Sequence, residues 1–315
     1  MLENRVLGKT GISVSRLCFG SLTLGPLQAN LPPERAAELI SYAYERGVNF
    51  FDTAQFYRNY PHLRAGFAKL SENAILTSKS YAYTAEQAYS AVDEARSALN
   101  RDYIDIFMLH EQESEHTFRG HAEALDALYT LKARGVIRAV GASTHYVQGV
   151  RAATKLALDV IHPLINLSGL GIVDGSREEM ESAISDAHKC GIGIYTMKAL
   201  GGGNLFGSAS ECFDYALSLP FADSIAVGMQ SEDEIDANIN YFINRKFSPE
   251  NLDKLNEKTR KILIEEWCTG CGCCAKACSQ HALTLKDGHA VCNPDKCILC
   301  GYCSGHCPEW AIKII

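Results

Sequence analysis

Short apolar runs and amphipathic stretches take turns along most of the chain. The apolar runs are Val48–Asp52, Ala74–Thr77, Ile104–His110, Ile137–Ser143, Val160–Asn166, Ile192–Met197 and Ser224–Val227. They are too short for ordinary helices and rich in β-branched residues, so they read as buried strands. An earlier strand fits Arg16–Gly20. Between the runs the period lengthens. Ala85–Asn100, His121–Arg134 and Glu178–Lys189 space their apolar residues as helices do, and in the last of them Met180, Ile184 and Ala187 share one face. Strands buried on both faces need helices to cover them. About eight such β–α units predict an α/β fold, a (β/α)8 TIM barrel, over residues 1–248. A doubly wound open sheet shares the alternation, but no G-x-G-x-x-G follows the first strand.

The pattern changes after residue 248. Pro249 can open a helix, and Leu252, Leu255, Ile262 and Leu263 are its apolar positions, so 249–266 is expected to be a connecting helix with Asn251–Glu266 as its body. Residues 267–315 are internally repeated. Each half has a cysteine run followed by a short strand signal, Ala282–Leu285 in one and Trp310–Ile314 in the other, with Leu283 and Ile312 at equivalent offsets. This predicts a small C-terminal α+β domain.

Ten of the thirteen cysteines lie in that region, and eight of them form C-x2-C-x2-C-x3-C twice. The runs are Cys268, Cys271, Cys274, Cys278 and Cys297, Cys300, Cys303, Cys307, the second followed by Pro308. Thiolates are the soft ligands that iron–sulfur clusters select. The spacing is that of a bacterial two-cluster ferredoxin, in which the fourth cysteine of each run serves the other [4Fe–4S] cluster. One cluster is then expected on Cys268, Cys271, Cys274 and Cys307, the other on Cys297, Cys300, Cys303 and Cys278. Ser279 stands where a proline often follows, and Cys273 and Cys292 read as non-ligands. Zinc would prefer paired C-x2-C knuckles. Disulfides would suit a secreted chain, but Met1 is followed by Leu-Glu-Asn-Arg, with no apolar signal segment. Cys18, Cys190 and Cys212 are scattered and read as packing residues.

Four polar residues end or closely follow barrel strands: Asp52, Tyr57 five residues later, Lys79 and His110. Strand C-terminal ends are where barrels place active sites, so the four can converge. A lysine beside a tyrosine favours the phenolate and lowers the phenol pKa. A carboxylate keeps that lysine charged and oriented, and a histidine can hydrogen-bond the reacting oxygen. The set suits a general acid that protonates a carbonyl oxygen as hydride reaches its carbon. Tyr81, Tyr83 and His145 stand near the same mouth, and the polar segment Glu111–Arg119 reads as a solvated loop.

On Phe-Asp52-Thr-Ala-Gln-Phe-Tyr57, Lys79, His110 and the segment LKARGVIRAVGAS (131–143), residues 4–245 resemble the aldo/keto reductase family, and the whole chain resembles its subgroup with a C-terminal ferredoxin domain. The resemblance implies reduction of aldehydes and ketones with NADPH, with Tyr57 as acid. It also implies a cofactor site. Ser143, Thr144 and His162 fall at carboxamide contacts, and Met197 falls where a ring normally stacks, with Lys198 beside it. Gly201-Gly202-Gly203 and Gly228 lie in phosphate-side loops. Ser231 with Glu234 makes a helix cap that could seat an anion, and Asn238 matches the adenine contact. Thr144, His162 and Met197 differ from the usual residues. Gln230 stands where an arginine or lysine usually meets the 2′-phosphate.

The remaining composition is ordinary. The 315 residues carry a net charge of −7 and are 47% hydrophobic. No basic stripe suggests nucleic acid, and no apolar run approaches a membrane span. The cysteines and the absent signal imply a reducing cytoplasm, and exposed clusters favour an anaerobic one. A hydride carries two electrons and a cluster passes one, so joining them calls for an adapter, usually a flavin. Three readings follow. In the first, the barrel interconverts a carbonyl and an alcohol while the clusters exchange electrons with a flavin, a flavoprotein or a ferredoxin partner. In the second, it is a conventional NAD(P)H carbonyl reductase with structural or redox-sensing clusters. In the third, it is a non-catalytic electron-transfer subunit.

Overall fold

The computed structural model describes residues 1–315 except Glu72, Ala157 and Lys258, and of Asn256 and Glu257 the backbone alone. A hairpin of β1 (Asn4–Val6) and β2 (Ser13–Ser15) precedes eight parallel strands. These are β3 (Leu17–Gly20), β4 (Phe50–Asp52), β5 (Ile75–Ser80), β6 (Ile104–Leu109), β7 (Ile137–Thr144), β8 (Val160–Pro163), β9 (Gly193–Thr196) and β10 (Ser224–Gly228). Each pairs with the next, and β10 returns to β3, closing the barrel. The expected strands are all present, within a few residues of their predicted ends. The helices Ala85–Leu99, Ala122–Ala133 and Arg177–Lys189 lie where the longer period foretold them.

Strand parity builds two cores. Phe50, Ile75, Ile106, Met108, Ala139, Val160 and Tyr195 point inward and meet Leu7, Ile12 and Val14 from the hairpin region. Phe51, Leu76, Phe107, Leu109, Val140 and Ile161 point outward and pack under the helices. Side chains two apart on a strand share a face. Asp52 therefore follows Phe50, Lys79 follows Ile75, and His110 follows Ile106 and Met108 into the barrel interior at the strands' C-terminal ends.

The region after the barrel differs from the expected connecting helix. A helix covers Pro249–Glu257, but Ile262–Ile264 is a strand, β11, paired antiparallel with β14 (Ile312–Ile314). The run Ile-Leu-Ile is short with two β-branched isoleucines, and it pairs with Ile312–Ile314 far along the chain, which local spacing does not reveal. Lys258, inside the expected helix, is outside the described residues. β12 (Leu283–Lys286) and β13 (His289–Cys292) form a second hairpin. Leu283 and Ile312 are both buried in one small cluster with Cys274, Ala290 and Cys303. The segment read as a solvated loop after His110 contains a helix turn, Glu115–Gly120, capped by Ser114 and anchored by buried Phe118. Among the described residues no helix is long and apolar enough to cross a membrane.

Candidate active site and cysteine cavities

The structure brings Asp52, Tyr57, Lys79 and His110 together at the C-terminal mouth of the barrel. Lys79 is wholly buried. Its Nζ donates to Asp52 Oδ2 at 2.6 Å and to the Thr53 carbonyl at 2.8 Å. The same ammonium lies 5.0 Å from the Tyr57 ring centroid. The Tyr57 and His110 rings are 5.8 Å apart, edge to face. Tyr57 sits in a 3-10 turn, Gln55–Tyr57, followed by Arg58 in the left-handed region.

Tyr195 belongs to this site and was not foreseen. Its hydroxyl donates to Asp52 Oδ2 at 2.9 Å, so one carboxylate oxygen accepts from both Lys79 and Tyr195. His162 stacks on the Tyr195 ring at 3.9 Å and donates from Nδ1 to the Tyr195 carbonyl at 2.6 Å. Tyr195 occupies an inward position of a predicted strand, and inward polar residues near a strand's C-terminal end were the available signal.

Electrostatics correct one expectation. Tyr57 is not lowered by Lys79. Burial pushes the phenol well above its ordinary value, and the negative charges of Asp52 and Glu111 push the same way. The lysine's charge is held against Asp52, so it cannot outweigh desolvation of a phenolate. Burial pulls His110 down to about 3, with Lys79 adding, so the imidazole is neutral. Tyr81 stacks on His110 at 4.6 Å and donates to Glu111 Oε2 at 2.5 Å. Beyond it lies an aromatic rim, in which Phe56 is 6.1 Å from Tyr81 and 6.2 Å from Trp267.

A long cleft with a cavity volume of about 210 Å³ leads away from Asp52 and Tyr57, far more room than a trapped water needs. Of the expected cofactor residues, His162, Met197, Lys198, Gly228, Gln230 and Asn238 line it. Ser143, Thr144, Gly201 and Ser231 do not. The Ser143 hydroxyl accepts from the Glu111 N–H at 2.9 Å, and Thr144 Oγ1 accepts from the Tyr146 N–H at 2.9 Å, so both hold neighbouring loops. Ser231 caps the helix Glu232–Asn244 by accepting from the Glu234 N–H at 3.3 Å. Glu234 in turn accepts from the Gln230 N–H at 2.7 Å. Three acidic residues in that first turn make the cap a poor seat for an added anion.

The triple glycine has another task. A Cβ on Gly203 would lie 1.9 Å from the Ile314 carbonyl oxygen, and one on Gly202 would meet Lys313 at 2.9 Å. These glycines let β14 approach the barrel backbone. Ile314 and Ile315, with Leu255 and Arg260, consequently wall the cleft, and none of the four was foreseen. Lys313 is buried between the two parts and donates to the Trp310 carbonyl.

The cysteines separate into two cavities. One is lined by Cys268, Cys271, Cys274 and Cys307, the other by Cys278, Cys297, Cys300 and Cys303. Each set is drawn from both runs. Cys273 is exposed and Cys292 lies on β13, and neither lines a cavity. The backbone repeats itself across the halves: Gly270 and Leu299, Gly272 and Gly301, and His281 and Trp310 are matched pairs with positive φ. Ala282 donates to Cys278 Sγ at 3.4 Å, and its counterpart Ala311 donates to Cys307 Sγ at 3.3 Å. Ala290 donates to Cys268 Sγ at 3.5 Å. Among the described residues no three His, Cys, Asp or Glu side chains gather as the donors of a single metal ion would. Of the scattered cysteines, Cys18 and Cys212 are buried as expected, whereas Cys190 is exposed and is no packing residue.

The sequence model of the aldo/keto reductase family matches residues 16–211. L-Galactose dehydrogenase of Arabidopsis thaliana is 28% identical over 185 residues, 55% of this chain and 54% of that protein. The 6-dehydroglucose reductase of Novosphingobium aromaticivorans is 27% identical over 159 residues, 44% and 50% of the two chains. The chain spans about half the length of these curated relatives. Among solved structures, the holo form of an aldo-keto reductase from Bacillus halodurans superimposes with a TM-score of 0.66 at 19% identity, covering 81% of this chain and 96% of that one. At that identity the likeness speaks for the fold.

Proposed function

Because this chain belongs to the aldo/keto reductase family, we propose that its barrel interconverts a carbonyl and an alcohol of a small molecule, with Tyr57 as the general acid and base. The observation that carries this reading is the convergence of Tyr57, Lys79, Asp52 and His110 at the barrel mouth, where Asp52 and Tyr57 line the cleft. Of the residues expected to hold a nicotinamide dinucleotide, His162, Met197, Lys198, Gly228, Gln230 and Asn238 line the cleft, and such a cofactor when bound would supply hydride to the carbonyl carbon. Tyr57 Oη gives its proton to the carbonyl oxygen, and in the reverse direction takes it back. Its raised pKa keeps it protonated and therefore a donor at neutral pH. Lys79, fixed by Asp52 and the Thr53 carbonyl, steadies the phenolate left behind. Neutral His110 orients the substrate oxygen without competing for the proton. Reduction of an aldehyde panel by anaerobic protein with NADPH or NADH tests this. Tyr57→Phe is expected to lose roughly 10²–10⁴-fold in kcat/KM, the range of general acid catalysis. Unchanged turnover in that variant removes Tyr57 as the acid.

We further propose that the tail holds two [4Fe–4S] clusters on the crossed cysteine sets. The support is that each cavity is lined by four thiols drawn from both runs, as the two-cluster pattern requires. A four-iron centre spreads its ligands around itself, so it does not need three donors converging on one point. The backbone N–H groups donating to Cys268, Cys278 and Cys307 suit charged sulfur. When bound, such clusters would pass single electrons, and a flavin or flavoprotein partner is the adapter to two-electron chemistry. A reducing cytoplasm suits these thiols. A structural role for the clusters is the second reading, favoured by the wall that Ile314 and Ile315 lend to the cleft. Cys300→Ser separates them: retained NADPH-dependent turnover with lost electron exchange supports the carrier role, and collapse of NADPH binding supports the structural one.

A further inference from the structure

We propose that Tyr195 is a positioning residue of the active site, its hydroxyl sharing the Asp52 carboxylate with Lys79 so that the lysine keeps its charge for Tyr57. The proposal rests on the reading of Tyr57 as the acid and adds a residue that acts on it from the barrel interior. Tyr195 does not line the cleft, and none of its surface is exposed. It packs in the inner layer with Phe50, Ile75, Ile106, Met108 and Val160. These neighbours are apolar, and a phenylalanine would fill the same room. The hydroxyl is the feature that needs a reason, since burying one is costly unless it finds a partner.

That partner is the carboxylate of the tetrad. The Tyr195 hydroxyl donates to Asp52 Oδ2 at 2.9 Å, the oxygen that accepts from Lys79 Nζ at 2.6 Å. Thr77 Oγ1 at 3.4 Å is a longer, neutral contact, and Met108 Sδ at 3.8 Å is a weak acceptor, so the proton goes to the carboxylate. Burial and the Asp52 charge hold the Tyr195 phenol well above its ordinary pKa, which makes it a neutral donor. Its ring is clamped: His162 stacks on it at 3.9 Å, and Phe50 meets it edge to face at 4.9 Å. His162 is no rival donor. Its Nε2 lies 3.9 Å from the same oxygen, beyond hydrogen-bond reach, and burial holds the imidazole neutral. A carboxylate oxygen that serves a second donor neutralises less of the first. Lys79, 5.0 Å from the Tyr57 ring, thus keeps more of its field for the phenolate that forms when Tyr57 gives up its proton. The Asp52 charge, which pushes the Tyr57 pKa upward, is also partly offset. The other groups facing Tyr57 are His110, Glu111 and Tyr81, and none of them bonds to Tyr195.

The test is single-turnover reduction of an aldehyde by anaerobic full-length protein with NADPH or NADH, read by nicotinamide fluorescence. It compares wild type, Tyr195→Phe, Asp52→Asn and the double variant. Tyr195→Phe is expected to slow the step roughly ten- to hundredfold, the scale of a hydrogen bond to a charged group, with dinucleotide and aldehyde affinities changed less than about twofold. In the Asp52→Asn background the same substitution is expected to cost less than about twofold more, because Tyr195 acts through that carboxylate. Tyr195→Met also lacks the hydroxyl and is expected to be as slow, so it serves if the phenylalanine variant does not fold. A full rate in either variant, a loss that falls on binding rather than on the step, or equal losses with and without the Asp52 carboxylate overturns the proposal. If wild type reduces no aldehyde, or if Tyr57→Phe keeps the full rate, the reading of Tyr57 falls and takes this one with it, and no Tyr195 variant is needed to see that.

Discussion

Asp52 Oδ2 is the point on which the buried polar groups of the mouth converge, receiving Lys79 and Tyr195 at once. A buried charge left without its partner is costly, about 3–5 kcal/mol when one side of such a pair is removed. Asp52→Ala is therefore expected to lose stability on that scale in urea unfolding, and a loss below about 1 kcal/mol would mean that Lys79 finds another anion. Acid acts on the same place. His110 is drawn to about 3 and His145 to about 4, both by burial. Below the ordinary histidine pKa of about 6.5 the unfolded chain takes up protons that these folded sites refuse. Their contribution is thus fully present above that pH and is lost as pH falls toward 4. His110→Gln should flatten the decline between pH 6.5 and 4, and an unchanged slope would contradict the burial argument. The positions of Asp52, Lys79 and His110 were legible because strand parity sends them inward. The upward shift of Tyr57 was not, because spacing shows which charges can meet and says nothing of how much water they lose.

Among the elements, the barrel strands declared themselves through runs of Ile, Val and Phe, and each strand's neighbour is next in sequence. β11 did not, since Ile262–Ile264 takes its identity from Ile312–Ile314 far along the chain. The triple glycine was the one local trace of that long-range contact. It reads as a phosphate loop or a flexible one until β14 is seen against it. Gly203 has φ +86 and no room for a Cβ beneath the Ile314 carbonyl. Gly203→Ala is expected to cost about 2–4 kcal/mol, through strain and loss of the strand's seat. Limited proteolysis should then release the tail at lower urea while the barrel survives. Equal resistance to wild type would show that β14 does not depend on that approach.

For the molecule as a whole, the tail is joined to the barrel by construction of a shared cleft, not by a bare tether. Ile314 and Ile315 face the same space as Tyr57 and Asn238. Trp267, next to Cys268, stands 6.2 Å from Phe56 at the catalytic mouth. On the proposed reading, the proton and hydride chemistry of the barrel and the single-electron chemistry of the tail would be neighbours. The cysteine repeat was legible in the sequence, and the structure lines two cavities with crossed sets of its thiols, whose ligand role is proposed. Cys278→Ser, a residue of the first run, is accordingly expected to disturb the centre built mainly on the second run. EPR of the reduced variant should show one of two cluster signals lost. Loss of the signal tied instead to Cys268→Ser would reverse the assignment.

Iron and acid-labile sulfide, measured in protein purified without oxygen, test the central claim most directly. About eight of each per chain is the predicted result, two four-iron cubes. Colourless protein carrying zinc or no metal, with no labile sulfide, would contradict it.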